Sequence, residues 1–127
     1  MTTTLIKAAL LADRVADRAL PGQAILIAGE RIDSVGSATV VEQQAPDDCH
    51  VIDLGDYCLA PGLIDGHTHL SLAGDGRTYA QMFSDSDEMM TLVGAMNLAR
   101  HLRAGITTIR EHGARNGIGF VLKEGVG

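Results

Sequence analysis

The sequence predicts an α/β chain in two parts: a β-rich stretch over residues 1–60, then a strand-helix-strand unit of a parallel sheet within residues 61–127. Three observations carry that prediction. Short apolar runs broken by turn residues fill the first part, the pattern of short strands. After residue 70 the apolar residues recur at three- and four-residue steps, as on a helix. Two short apolar runs flank that stretch, and each ends in polar residues, as buried strands with functional tips do.

Taken in order, residues 5–20 read two ways, because Ala, Leu and Arg favour an amphipathic helix while the neighbouring pattern favours strands. Gln23–Ala28 reads as a strand, Gly29-Glu30 as a tight turn, and Arg31–Gly36 as the hairpin partner with Ile32 and Val35 facing inward. Val51–Leu54 makes another strand, and the boundary falls at Ala60-Pro61-Gly62. Leu63–Leu70 is then a short buried strand. Ser84 or Asp85 caps the following helix, with Asp87 and Glu88 in its first turn complementing the positive end of the macrodipole. Met89, Leu92, Val93, Met96, Ala99 and Leu102 form its apolar stripe, the methionines serving as core packing, and Gly105 stops it. Ile106-Thr107-Thr108-Ile109 is β-branched throughout and reads as a second buried strand, closing in Arg110, Glu111 and His112. Strand, helix, strand in that order is the βαβ unit. Gly113, Gly117 and Gly119 mark a loop before a short helix around Phe120 to Lys123, and the chain closes on Gly125-Val126-Gly127.

Composition narrows the function classes. The 127 residues suit one ordinary domain and fall well short of the roughly 250 of a complete β/α barrel. With 46% hydrophobic and 20% charged residues the chain is neither disordered nor fibrous in character. Aromatics make up only 3%, and 10 basic against 16 acidic residues leave a net charge of -6, so neither base-stacking platforms nor a phosphate-binding patch is available. Nucleic acid is not an expected partner. No run approaches the roughly 20 apolar residues of a membrane span, and Lys7, Asp13 and Arg14 break up the N-terminal apolar run, so no export signal or membrane is expected and the location is read as cytoplasmic. Cys49 and Cys58 match no zinc or redox spacing and read as two unpaired buried thiols.

The chemistry concentrates in Asp65-Gly66-His67-Thr68-His69. Side chains alternate along a strand, so His67 and His69 share a face about 6.5–7 Å apart and can converge on one ion. Neutral imidazoles suit zinc and related divalent metals, which in catalytic sites keep a coordinated water. Asp65 shares that face; it either orients an imidazole by a hydrogen bond, the preferred reading, or settles the strand's own polar contacts. Two exposed histidines with no metal would be the ordinary explanation of such a pair. The apolar Leu63-Ile64 after a Pro-Gly turn argues for a buried strand instead, where imidazole nitrogens need partners.

Ala60-Pro61-Gly62-Leu63-Ile64-Asp65-Gly66-His67-Thr68-His69 resembles the signature of the amidohydrolase superfamily, and Ala104–Glu111 resembles the second-strand segment of its prolidase-like and imidazolonepropionase-like members. Ala24–Gly36 is similar to the hairpin of the small β-sandwich that precedes the barrel in these enzymes. The resemblance implies a (β/α)8 TIM-type barrel, incomplete in this chain: residues 1–60 are the N-terminal part of the β-sandwich domain, and 61–127 the first two β/α units. It resolves residues 5–20 as strands and a turn. It implies His67 and His69 as ligands of the more buried metal, with one or two divalent ions, zinc foremost and manganese or iron as alternatives, in the complete enzyme. It further implies hydrolysis of carbon-nitrogen bonds in small amide-like substrates by metal-activated water, and a homo-oligomeric complete protein. The remaining ligands and the catalytic residues are expected on later strands, so the chain alone is expected to be inactive.

His112, just past the second strand, is the candidate substrate contact. His101 reads as an exposed helix residue, His50 as no more than a loop neighbour of Cys49, and Arg110 and Glu111 as ion-pair partners at the strand end. The rival readings are a small non-catalytic metal-binding or interaction module, and a structural piece whose open βα edge associates with itself or with the remainder of the protein.

Overall fold

A computed structural model describes residues 2–13 and 15–126. Arg14, inside the segment that reads two ways, and the terminal Gly127 lie outside the described residues. The chain divides into two compact units, Met1–Pro61 and Gly62–Gly127.

The first unit runs β1 (Thr3–Leu11), β2 (Leu20–Ala28), β3 (Arg31–Ser37), α1 (Ala38–Glu42), β4 (His50–Asp53) and β5 (Cys58–Leu59). They build one mixed five-stranded sheet in the order β3-β2-β1-β4, with β5 also on β1. β1 is antiparallel to β2 and parallel to β4 and β5. That central position settles the ambiguous residues: hydrogen bonds to neighbours on both sides override the helix propensity of Ala and Leu. Asp13 turns the chain by accepting from the backbone N–H groups of Val15 and Ala16. Gly29, at φ +62°, supplies the hairpin turn between the paired Ala28 and Arg31.

The core of this unit lies on one sheet face, where α1 drops Val41 onto Leu5, Ala24 and Leu26. Ile32 and Val35 do not face inward as expected; they are 64% and 49% exposed. With Ile6, Ile25, Ile27 and Leu59 they line an open apolar groove of about 310 Å³. Among the described residues the unit has one sheet, so nothing in it covers that groove. The cysteines are unpaired as expected, but Cys49 is only half-buried and Cys58 is exposed, because it sits in a two-residue strand at the rim of the sheet.

The second unit runs β6 (Leu63–Thr68), α2 (Tyr79–Phe83), α3 (Asp87–Arg103), β7 (Ile106–Glu111), a 3-10 turn (Arg115–Gly117) and α4 (Ile118–Val126). β6 and β7 pair in parallel across α3, the expected βαβ order. Ser86, not Ser84 or Asp85, caps α3 by accepting from the Met89 N–H; Ser84 instead closes the unforeseen α2. Gly105 ends α3 at φ +82°, a conformation that a side chain would strain.

The packing face of α3 differs from the predicted stripe. Its buried residues are Met90 and Gly94, and Met90 joins Leu70, Ile118 and Leu122 in the core. Met89, Leu92, Met96 and Leu102 stand 50–65% exposed. The reason is at Gly94: a Cβ there would lie 2.5 Å from Leu122 Cδ1, so α4 packs against the one position with no side chain. Periodicity marked an apolar face, but the approach of α4 chose the face beside it. Leu63 and Ile64 are also exposed, at 59% and 74%, because a two-stranded sheet has too few neighbours to cover both its faces.

Candidate metal site

Gly62 starts the construction of the site. A Cβ at that position would stand 2.1 Å from Thr107 Oγ1 and 2.8 Å from Thr107 Cβ, so the Pro-Gly step lets the start of β6 pass directly against β7. From there β6 runs to its C-terminal end, where the two-residue side-chain period brings His67 and His69 together. Their Nε2 atoms are 3.3 Å apart and both rings are exposed. At that separation one ring can donate its N–H to the other, or both nitrogens can accept a shared cation. An ion about 2.05 Å from each nitrogen would see the pair at about 107°, close to the tetrahedral angle that zinc adopts. The donor pair therefore fits a zinc-like divalent ion.

Among the described residues no group of three His, Cys, Asp or Glu side chains is placed to hold a metal. His112 comes nearest. Its ring stacks on His67 at a centroid distance of 4.2 Å and an interplanar angle of 8°, which puts its nitrogens in a parallel plane instead of at the point where the other two converge. Asp65 settles the strand's own contacts: Oδ1 accepts from the backbone N–H of His67 at 3.1 Å, and Oδ2 lies 3.8 Å from His101 Nε2. His101 is accordingly half-buried, not exposed, with Nδ1 2.8 Å from the Asn97 carbonyl. His50 is exposed beside Cys49 and has no part in this cluster.

The strand tip is held by polar ties that sequence reasoning missed. Thr68, buried on the face opposite the histidines, donates from Oγ1 to the Arg110 carbonyl, while its own carbonyl accepts from the His112 N–H. Asn97 Nδ2 donates to the carbonyls of Leu70 and Leu72, fixing the loop after β6 to α3. Glu111 enters no ion pair among the described residues, contrary to expectation. Its carboxylate accepts two backbone N–H groups, from Leu70 at 2.6 Å and from Gly113 at 2.9 Å. The one signal available in sequence was an acid two residues after a β-branched run, which equally suits a surface ion pair. Arg110 likewise forms no ion pair among the described residues and contributes only its carbonyl.

Residues 58–124, more than half of the chain, match the Amidohydrolase family, and the chain belongs to that family. It is 30% identical over 115 residues to an imidazolonepropionase of Anaeromyxobacter dehalogenans, covering 71% of this chain and 27% of that protein. It is 45% identical over 51 residues to an N-substituted formamide deformylase of Arthrobacter pascens, covering 40% of this chain and 9% of that protein. A crystal structure of a Xaa-Pro dipeptidase with methionine in its active site superposes with a TM-score of 0.81 at 23% identity, over 98% of this chain and 30% of the other, and so shares its fold. The chain thus spans less than a third of each of these proteins.

Proposed function

We propose that this chain is the N-terminal part of a metal-dependent amidohydrolase that cleaves carbon-nitrogen bonds in small amide-like substrates. The observation that carries the reading is the 3.3 Å convergence of His67 and His69 Nε2 at the C-terminal end of β6, in a chain of the Amidohydrolase family. In a β/α barrel that end of a strand is where active sites lie. On this reading residues 62–127 open the barrel, and residues 1–61 begin a β-sandwich. The uncovered apolar groove of Ile6, Ile25 and Ile27 supports a second layer on the first sheet.

His67 and His69 would hold the divalent ion through Nε2, zinc fitting their spacing best and manganese or iron also suiting imidazole. Asp65 fixes the backbone of His67, and the ring of His112, stacked on His67, would contact the substrate. When bound, the metal supplies a water activated near neutral pH and a polarised amide carbonyl. Xaa-Pro dipeptides and N-substituted formamides are substrate classes that the names of similar proteins carry, and cyclic amides are the third class this reading admits. No helix among the described residues is long and apolar enough to cross a membrane. A cytoplasmic homo-oligomer completes the reading.

The test is metal analysis and amide hydrolysis by the full-length protein carrying His67→Ala or His69→Ala. The expected result is loss of bound metal and of hydrolysis in both variants. Unchanged metal content and turnover would sink the proposal, whereas metal retention by the wild type with no hydrolysis of any of the three amide classes would favour the binding-module alternative.

A further inference from the structure

Two oxygens of one side chain, that of Glu111, meet backbone N–H groups next to His69. Glu111 Oε2 accepts from the Leu70 N–H at 2.6 Å, and Leu70 directly follows His69. Glu111 Oε1 accepts from the Gly113 N–H at 2.9 Å, and Gly113 backs the ring of His69: a Cβ built there would stand 3.0 Å from its Nδ1 and 3.3 Å from its Cε1. The carboxylate is half-buried at the end of β7, whose partner in the ladder is Thr68 at the end of β6. No Lys or Arg pairs with it among the described residues, so its hydrogen-bonding capacity is directed to the backbone. A carboxylate can accept two N–H groups at once, each in a charge-assisted bond. A glutamine cannot do the same, since one of its two terminal atoms is a donor that would face a backbone N–H.

We infer that Glu111 is a positioning residue for the metal site: a backbone clamp that closes the β6 and β7 tips around His69 and holds its imidazole in the register that brings Nε2 to His67. Gly113 is the second half of the device, because a Cβ there would press on the ring and force it to give by a few tenths of an ångström. The inference rests on the proposed metal-binding reading, and it assigns Glu111 no contact with metal or substrate. Removing partners that orient metal-binding histidines typically lowers metal affinity about 10–100-fold.

The experiment measures zinc affinity by chelator competition in the full-length protein, alongside thermal unfolding and hydrogen exchange of the Leu70 and Gly113 amides in the zinc-free state. Glu111→Gln, nearly isosteric, should fold with an unfolding temperature near that of wild type, bind zinc about tenfold or more weakly, and lose protection at one of the two amides. Glu111→Ala should lose protection at both. Gly113→Ala leaves the carboxylate intact and should weaken zinc by a similar factor through the ring alone. Zinc affinities of the folded Gln and Gly113→Ala variants within twofold of wild type would overturn the clamp while leaving His67 and His69 as ligands. If wild-type protein binds no zinc and the histidine variants change nothing, the metal reading fails and takes the inference with it.

Discussion

The two units build their cores differently. In the first, apolar strand residues form the core: Leu5 on β1 and Ala24 and Leu26 on β2 meet Val41 of α1 across one sheet face. In the second, the buried cluster of Leu70, Met90, Ile118 and Leu122 comes from two helices and the loop after β6, with Ile109 of β7 packed only at its margin. β6, the strand that bears the histidines, contributes no residue to it. A sheet whose face is packed is held in register by its side chains. A strand without that packing relies on its ladder and on polar ties, here Thr68 to Arg110, Asn97 to Leu70, and Glu111 to Leu70 and Gly113. The unit that carries the candidate chemistry is therefore ordered at its tip by hydrogen bonds and close glycine contacts more than by buried apolar area.

The largest effect that would test this contrast is at Met90. Met90→Ala should cost about 2–5 kcal/mol in urea unfolding, since the side chain is fully buried among α3, α4 and Leu70. The adjacent Met89→Ala, on the half-exposed face, should stay within about 0.5 kcal/mol. Equal losses from the two would mean that the predicted stripe, and not the observed face, packs the helix. Gly62→Ala should cost about 1–3 kcal/mol by wedging β6 away from Thr107, and amide exchange in both strands should rise with it. At Gly94 two effects oppose each other. Alanine gains roughly 1 kcal/mol of helix propensity but presses on Leu122, so a net loss of about 1 kcal/mol is expected. A net gain in thermal melting would show that the Leu122 side chain yields.

The smallest effects should come from acid, and they should fall on both units alike. The Gly55 N–H and then Lys7 hold the Asp53 carboxyl below its ordinary value, while Asn116 and then Arg115 do the same for Asp87. A depressed folded-state pKa means that the stabilisation is present above the ordinary carboxylate value near 3.8 and is lost as pH falls through the lower folded value. Carboxyl titrations by NMR should find both groups more than half ionised at pH 3.8 in the folded protein. A normal Asp87 titration would remove its ties to Arg115 and Asn116 from the second unit's polar framework.

Much of the candidate site was legible because it depends on local geometry. The period of two in an extended strand puts His67 and His69 on one face wherever the strand lies, and Gly105 ends α3 because left-handed backbone disfavours a side chain. The order of strand, helix and strand likewise follows from spacing alone. Tertiary structure decided what local pattern leaves open. Whether β1 is a strand was settled by neighbours on both of its edges. The face that α3 buries was settled by α4 docking at Gly94. The role of Glu111 was settled by two N–H groups, one of them from a residue far away in sequence. Sequence spacing fixes the direction of a side chain relative to its own backbone; burial and hydrogen-bond partners are properties of whatever packs against it, and those neighbours exist only in the folded chain.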